Sequence, residues 1–182
     1  IFFWVARMIM MSIKLTKKIP FKIVYIHNLI RDHKGHKMSK TKGNVIDPLE
    51  LIDKHGTDSL RFYLSSNLSP HNDIKIGKNS LDSYKNFMNK IWNAYNFVKI
   101  NSEGYEIKNQ LKPKNFYDFW IISRFSDLLS KYEAYIENCE IEKSATEIYK
   151  FFWDDYCDWY IEISKISFLN SENKNTKEIL LN

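Results

Sequence analysis

Apolar side chains recur every three or four residues through most of the second half of the chain, and this spacing limits the fold more than any other feature. The stripes run from about Leu81 to Lys99, from Tyr117 to Asn138 and from Ile141 to Phe168. Residues three and four apart share one face of an α-helix, so the stripes predict three long amphipathic helices. Such helices bury their stripes in an antiparallel bundle. The residues after the polar run 170–175 predict the start of another helix.

The first part of the chain begins with two apolar segments of different character. Residues Phe2–Leu15 predict a helix that is apolar on nearly all sides and is therefore buried in the core. Residues Lys22–Ile30 form a short run rich in β-branched and aromatic side chains, which predicts a buried strand. The charged run that follows, with Gly35 inside it, predicts a tight turn.

Two short helices are predicted after this turn. The run Asp47–Glu50 (DPLE) has the form of a capping box with proline at the first helical position, and Gly56 marks the end of that helix. We expect Thr57 and Asp58 to cap the next helix. Helix, strand, turn and capped helices together predict an α/β arrangement ahead of the helical bundle.

The composition excludes several classes of protein. Hydrophobic residues make up 44% of the 182 residues, which is enough for a packed core. The two cysteines, Cys139 and Cys157, lie outside any CxxC spacing and predict neither a disulfide framework nor a structural metal site. The apolar run from Phe2 to Met11 contains Arg7 and is shorter than the roughly 20 residues of a membrane span, so no membrane association is expected.

The segment Lys37–Thr41 (KMSKT) carries the clearest chemical signal. It places Lys37 and Lys40 on a loop between the predicted strand and Gly43. When a carboxylate attacks an α-phosphate, negative charge grows on the non-bridging oxygens and on the departing pyrophosphate, and ammonium groups stabilise that charge. We expect Met38 to be buried at the base of the loop and to set the position of the lysines. The alternative for a K-x-x-K spacing alone is a solvated lysine-rich turn.

This segment resembles the KMSKS motif of class I aminoacyl-tRNA synthetases, with Thr41 in place of the final serine. Two runs that follow the motif in that family, GNVIDP at 43–48 and GTDSLR at 56–61, occur here in the same order. The resemblance implies that ATP is a substrate, accompanied by Mg²⁺, and that Lys37 and Lys40 are catalytic during adenylation of the amino acid. The ATP-binding residues that it implies are Lys37, Met38, Ser39, Lys40 and Thr41.

Two other runs resemble valyl-tRNA synthetases in particular. Residues Phe2–Met8 match the FFWVARM helix, and Trp153–Glu162 is similar to the WDEFCDWYIE helix of that family. The resemblance implies that Trp4 lines the valine pocket, whereas without its neighbours Trp4 would be read as a core aromatic. His27 stands where relatives have a histidine near the adenosine, so it is a candidate nucleotide ligand; a structural hydrogen-bond partner is the alternative.

The bundle is the candidate surface for RNA. The formal charge of +5 permits attraction of a polyanion but does not by itself identify one. The candidate tRNA-binding residues are Lys85, Lys90 and Arg124, with Lys99 and Lys131 as further cations, and solvated helix faces are the alternative for each. The loop at 69–74 differs from the GRDI sequence of the family by the loss of its glycine and arginine, so any contact of that arginine is absent or replaced.

The resemblance implies an α/β part followed by an all-α part. Residues 1–77 are expected to form the C-terminal half of a class I Rossmann-type catalytic domain, and residues 78–182 an incomplete anticodon-binding helical bundle. The chain lacks a HIGH motif and room for an editing domain, and it starts at Ile1 inside an apolar helix. We therefore expect an internal piece of a longer polypeptide whose upstream half completes the active site, and we expect the piece alone to be inactive.

The implied function is ATP-dependent adenylation of valine and its transfer to tRNA(Val). The expected partners are tRNA(Val), valine and ATP, without DNA, and the expected location is the cytoplasm, with an organelle as the alternative. Two other functions remain open: an isoleucyl-tRNA synthetase, which shares the phosphate loop, and a non-catalytic tRNA-binding helical module.

Overall fold

The computed structural model describes residues 2–69, 72–77, 79–104, 112–169 and 174–181, and helices account for most of them. Helices α6 and α7 are joined by a π-helical segment, so that residues 141–169 form one continuous rod. The elements in chain order are α1 (Trp4–Thr16), β1 (Ile30–Arg31), a 3₁₀ turn (Lys40–Lys42), α2 (Pro48–His55), α3 (Thr57–Ser66), β2 (Ile74–Lys75), α4 (Asp82–Asn101), α5 (Phe116–Glu137), α6 (Ile141–Lys150), the π-helical segment (Phe151–Ile161), α7 (Glu162–Leu169) and α8 (Lys174–Leu181).

The three long helices predicted from the apolar stripes are confirmed. Helices α4 and α5 begin and end within two residues of the predicted bounds, and α8 is the further helix expected near the end of the chain. The π-helical segment was not predicted. Along this segment the rings of Phe152, Tyr156 and Tyr160, each four residues apart, follow one another at centroid distances of 5.4 and 6.1 Å.

The core of the bundle is formed by α4, α5, the π-helical segment and α8. Its buried members include Ala94, Ile121 and Tyr160, with Ile179 from α8. A buried hydrogen bond crosses this core: the hydroxyl of Tyr160 donates to the carboxylate of Asp118, at Oδ1, over 3.0 Å. Burial next to this carboxylate raises the pKa of the Tyr160 hydroxyl far above its usual range.

A separate core, which we call the first core because it lies in the first part of the chain, consists of the buried side chains of Leu60, Tyr63, Ile74, Ile76 and Leu81. Helices α2 and α3 support this core and share one residue between them. Gly56 ends α2 with φ +87°, donating its N–H to the Ile52 carbonyl at 2.8 Å, and it is also the residue before α3. Because Thr57 is already helical, the prediction that Thr57 and Asp58 cap α3 is wrong.

The α2 capping signal behaves as predicted. The Asp47 carboxylate accepts a hydrogen bond from the Leu49 N–H at 2.8 Å, and Pro48 occupies the first helical position, where no N–H is needed. Helix α2 ends at His55, immediately before Gly56.

The buried strand predicted at Lys22–Ile30 is wrong in extent and in burial. Only Ile30–Arg31 pairs as a strand, in parallel with Ile74–Lys75, and Ile23 and Ile26 are 62% and 56% exposed. A strand requires a hydrogen-bonding partner along its length, and β2 supplies one for two residues only. The apolar residues before Ile30 therefore remain irregular in this chain.

Helix α1 forms where predicted, but the prediction that it is buried is wrong for the described residues. None of its side chains is buried, and Trp4 and Leu15 are 71% and 72% exposed. The described chain does not supply enough neighbouring surface to cover a helix that is apolar on several sides.

Aromatic rings connect the two cores. Phe87 of α4 is almost completely buried, and its ring lies 5.1 Å from the ring of Phe62 on α3 and 4.7 Å from that of Tyr149 on α6. The first core and the bundle thus share packed side chains in this chain. The boundary between residues 77 and 78 remains a prediction.

Candidate functional site

The site begins with a turn organised by a buried carboxylate. Asp32 follows β1 and is only 6% exposed. Its Oδ1 accepts the N–H groups of Lys34 at 3.0 Å and His36 at 2.7 Å, and Gly35 closes the turn with φ +83°. This is the tight turn predicted from the charged run, and it delivers the chain directly to Lys37.

The side-chain amide of Asn44 joins this turn to the loop. Its Nδ2 donates to Asp32 Oδ2 at 2.9 Å and to the carbonyl of Lys37 at 3.3 Å, while its Oδ1 accepts the Ser39 N–H at 2.9 Å. The backbone on both sides of Met38 is therefore attached to one amide group.

The hydrogen bond from Asn44 is also the main reason why the pKa of the Asp32 carboxyl is lowered to about 2, with the backbone N–H groups of His36 and Lys34 adding to the effect. A carboxylate that remains ionised at all physiological pH values keeps accepting these bonds.

The lysines project from this fixed backbone into solvent. Residues Lys40–Lys42 form the 3₁₀ turn, which ends at Gly43 with φ +63°, and the hydroxyls of Ser39 and Thr41 lie 2.7 Å apart. Both Lys37 and Lys40 are exposed, and neither forms an ion pair with another described residue.

Met38 anchors the loop from below. It is half-buried and packs against the first core, whose members include Leu60 and Leu81. This geometry agrees with the prediction that Met38 sits at the base of the loop. The arrangement presents exposed ammonium groups on a backbone held by hydrogen bonds and an apolar anchor, which suits the binding of a polyphosphate.

Comparison with known proteins identifies the family. Residues 1–77 match the family described as tRNA synthetases class I (I, L, M and V), and residues 118–182 match the anticodon-binding domain of tRNA ligase. The valine–tRNA ligases of Fervidobacterium nodosum and Thermotoga maritima are 45% and 46% identical to the chain over its whole length. The chain belongs to the valine–tRNA ligase family. It spans about a fifth of the length of these two relatives, which is 21% of each.

A solved structure supports the fold of this family segment. The ternary complex of Agrobacterium radiobacter agnB2 LeuRS with tRNA and LeuAMS superposes with a TM-score of 0.69 at 17% sequence identity. The match covers 96% of this chain and 22% of the LeuRS chain. The fold class predicted from the sequence, a class I catalytic portion followed by a helical bundle, is confirmed.

Trp4 and His27, the other two residues predicted to bind substrates, lie outside the loop. The ring of Trp4 is largely exposed and lies 5.8 Å from the Arg7 guanidinium carbon. His27 is exposed, and its Nδ1 lies 3.0 Å from the Asn28 carbonyl oxygen, as expected for the structural alternative. The proposed contacts of Trp4 with valine and of His27 with nucleotide remain predictions.

Four of the five candidate tRNA-binding cations of the bundle, all except Lys99, are engaged within the described chain. Lys85 donates to the Lys54 carbonyl at 2.9 Å, and Arg124 pairs with Asp155 at 2.8 Å. Lys90 pairs with Asp158 and lies 4.0 Å above the ring of Trp153. Lys131 likewise pairs with Glu147 at 3.1 Å. This geometry favours the alternative of cations that stabilise the helix faces.

Three contributors to the site were missed by sequence reasoning. The structural roles of Asp32 and Asn44 were not predicted, although an Asp three residues before a glycine is a typical turn signal. Arg31 was also missed: its Nε donates to the carboxylate of Asp73, which in turn accepts the Leu29 N–H at 3.3 Å. The altered loop at 69–74 thus contributes a carboxylate that joins β1 to β2.

Other kinds of site find no support in the part of the chain that the structure describes. Its His, Cys, Asp and Glu side chains form no group of three or more suited to a metal ion. Burial raises the pKa of the Cys157 thiol to about 11, which leaves it protonated and unreactive. Across the same residues, no helix is long and apolar enough to cross a bilayer.

Proposed function

We propose that this chain is part of a valine–tRNA ligase, in which it supplies the KMSKS loop and the first helices of the anticodon-binding bundle. We call the complete enzyme the parent ligase. Its reaction is the ATP-dependent adenylation of valine followed by transfer of the valyl group to tRNA(Val). The upstream half of the same polypeptide supplies the remainder of the nucleotide site.

In the first step the valine carboxylate attacks the α-phosphate of ATP, a phosphoanhydride bond breaks, and pyrophosphate leaves. ATP is a substrate and enters with Mg²⁺ bound to its phosphates. Lys37 and Lys40 stabilise the charge that grows on the phosphate oxygens, because their ammonium groups are unpaired by other described residues and exposed. Ser39 and Thr41 place two hydroxyls beside them, 2.7 Å apart, and Met38 anchors the loop in the core.

Two further roles concern the upstream half. We propose that Trp4 forms one wall of the valine pocket and that His27 approaches the nucleotide once that half covers the exposed apolar surface. The exposure of α1 and of Ile23 and Ile26 supports this assignment, because a surface of that size is rarely left open to water in a complete protein.

The bundle is proposed to bind tRNA(Val). Lys90 and Arg124 already form ion pairs, and Lys85 donates a hydrogen bond to a backbone carbonyl. A phosphate contact by any of the three therefore requires that existing interaction to break. Their first role is therefore to stabilise the helices, and tRNA contacts by these three side chains are secondary. We assign no DNA partner, and we place the parent ligase in the cytoplasm, where its ATP and tRNA are available.

The observation that carries the proposal is the identity of 45% to valine–tRNA ligases along the whole chain. The direct test measures pyrophosphate exchange by the parent ligase with valine, isoleucine or leucine at equal concentrations. We expect exchange with valine to exceed that with isoleucine by at least about tenfold in kcat/KM, as a shaped apolar pocket provides. A preference for isoleucine would establish an isoleucyl-tRNA synthetase instead, and tRNA binding without exchange would establish a non-catalytic module.

A further inference from the structure

One amide group forms hydrogen bonds to the backbone on both sides of Met38, and it is not part of the catalytic set proposed above. We propose that Asn44, held by Asp32, is the positioning residue that fixes where Lys37 and Lys40 meet the phosphates of ATP. This inference rests on the proposed function of the loop and names the device that gives the loop its geometry.

The first step concerns which backbone atoms are fixed. Asn44 accepts the N–H of Ser39 at 2.9 Å and donates to the carbonyl of Lys37 at 3.3 Å. The two bonds bracket Met38, whose side chain is anchored in the first core. The carbonyl of Lys37 and the N–H of Ser39, the residue just before Lys40, are therefore both fixed by hydrogen bonds.

The second step concerns what orients the amide. A carboxylate can only accept hydrogen bonds, so Asp32 Oδ2 requires the NH₂ group of Asn44 on its side, at 2.9 Å. This fixes the amide oxygen on the opposite side, toward Ser39. The other oxygen of Asp32 is used by the N–H groups of Lys34 and His36, which prevents the carboxylate from turning away.

The third step concerns why position matters here. Long lysine side chains reach a phosphate from many backbone positions, but the rate depends on ammonium groups that are already in place when charge develops. The loop has no long strand or helix of its own beyond the three-residue 3₁₀ turn. The pair Asp32 and Asn44 therefore provides the rigidity that a regular element would otherwise provide.

A reciprocal exchange of the two side chains tests this in the parent ligase. Asn44→Asp sets two carboxylates against each other. In Asp32→Asn both amide oxygens are already used by backbone N–H groups, which leaves two NH₂ donors facing each other, so each single change breaks the link. In the double variant Asp32→Asn with Asn44→Asp, the link re-forms with its direction reversed. The new amide oxygen at position 32 still accepts from Lys34 and His36, and the new carboxylate at position 44 still accepts from Ser39. The donation to the Lys37 carbonyl is lost, and a carboxylate oxygen replaces the NH₂ group beside that carbonyl, so recovery is expected to be incomplete.

We expect each single variant to lower the kcat of valine-dependent pyrophosphate exchange by up to about 100-fold, as a misplacement of the order of 1 Å does. The double variant recovers to within about tenfold of the unmodified enzyme, because coupled residues are not additive. The rate of valyl transfer from preformed valyl-adenylate stays unchanged in all three, since the lysines act before that step. Asp53→Asn on α2 and Asn93→Asp on α4 are the matched exposed controls.

The outcomes separate this inference from the proposed function. If Lys40→Ala abolishes exchange while both single variants retain it, the positioning role is wrong and the proposed function stands. If Lys40→Ala also leaves exchange intact, the proposed function itself fails. Loss of adenylation and transfer in equal proportion, or a double variant no better than the singles, assigns Asp32 and Asn44 to general stability and overturns the inference.

Discussion

At the scale of single residues, the Asp32 carboxyl makes the stability of the folded chain depend on pH. Its pKa is lowered to about 2 in the folded chain by hydrogen bonds from Asn44 and from two backbone N–H groups, whereas an unfolded aspartate titrates near 3.8. A depressed folded pKa means that the unfolded state binds more protons between these values. The stability from this carboxylate is therefore complete above about pH 4 and is lost as the pH falls toward 2.

We predict that the side-chain carboxyl carbon of Asp32 titrates with a midpoint near 2 in the folded chain, followed by NMR as the pH is lowered. In the Asn44→Ala variant the Asp32 midpoint should move up toward 3.8, because the largest cause of the lowered pKa is removed. An Asp32 midpoint near 3.8 in the unmodified chain would contradict the hydrogen-bonded turn.

Residue-level sequence reasoning located the loop but not its support. The lysines of the loop were visible because their charge and spacing are part of the sequence itself. The Asp32 to Asn44 bond joins residues twelve positions apart, and nothing in either side chain identifies its partner before the turn is folded. The ion pairs of Lys90 and Arg124 escaped prediction for the same reason, since their partners lie on a different helix.

At the scale of elements, helices were predictable and strands were not. A helix satisfies its own backbone hydrogen bonds, so the apolar stripes were sufficient to place α4 and α5. A strand depends on a partner elsewhere, and the apolar run before Ile30 has a paired neighbour for only two residues. The π-helical segment was missed because i+5 hydrogen bonding leaves no mark in a pattern that fits 3.6 residues per turn.

The packing of α4 between the two cores yields a stability prediction. Phe87 is 1% exposed and contacts rings from both α3 and α6, so Phe87→Ala leaves a cavity at their junction. We expect a loss of about 3–5 kcal/mol in the free energy of unfolding, measured by urea denaturation of the 182-residue chain. Phe87→Leu retains most of the apolar volume and should lose less.

The matched control for this prediction is Phe116→Ala, because Phe116 is 85% exposed at the start of α5. That change should alter the free energy of unfolding by no more than about 0.5 kcal/mol. Similar losses for the two alanine variants would contradict the role of Phe87 as the joint between the cores.

At the scale of the whole molecule, two observations support the proposed upstream half of the parent ligase: the exposed apolar surface and the small share of the relatives' length that this chain spans. The chain spans 21% of the length of its Fervidobacterium nodosum relative, and α1 has no buried side chain. In the proposed function the loop offers cations to one end of a nucleotide, and adenylation also requires groups that hold the adenosine and the valine. The fold class was predictable from the sequence because each motif appears in the family order, whereas the exposure of α1 follows from what surrounds it.

We predict that the purified 182-residue chain shows no valine-dependent pyrophosphate exchange at concentrations at which the parent ligase is readily measured. The reason is that, in the proposed function, Lys37 and Lys40 stabilise a transition state that also needs groups from the upstream half. Circular dichroism should show that the same preparation is helical, which excludes unfolding as the cause. Measurable exchange by the helical chain would contradict the assignment of an upstream half.

The central claim is that the cations at positions 37 and 40 act on the phosphates of ATP. The measurement that tests it most directly is the single-turnover rate of valyl-adenylate formation by the parent ligase carrying both Lys37→Ala and Lys40→Ala, at saturating ATP. We predict a fall of at least about 100-fold, as for the loss of preorganised charge stabilisation at other active sites. The variant Lys112→Ala with Lys114→Ala, which removes the same charge from exposed positions before α5, should retain the unmodified rate. An unchanged rate in the Lys37 and Lys40 variant would contradict the account.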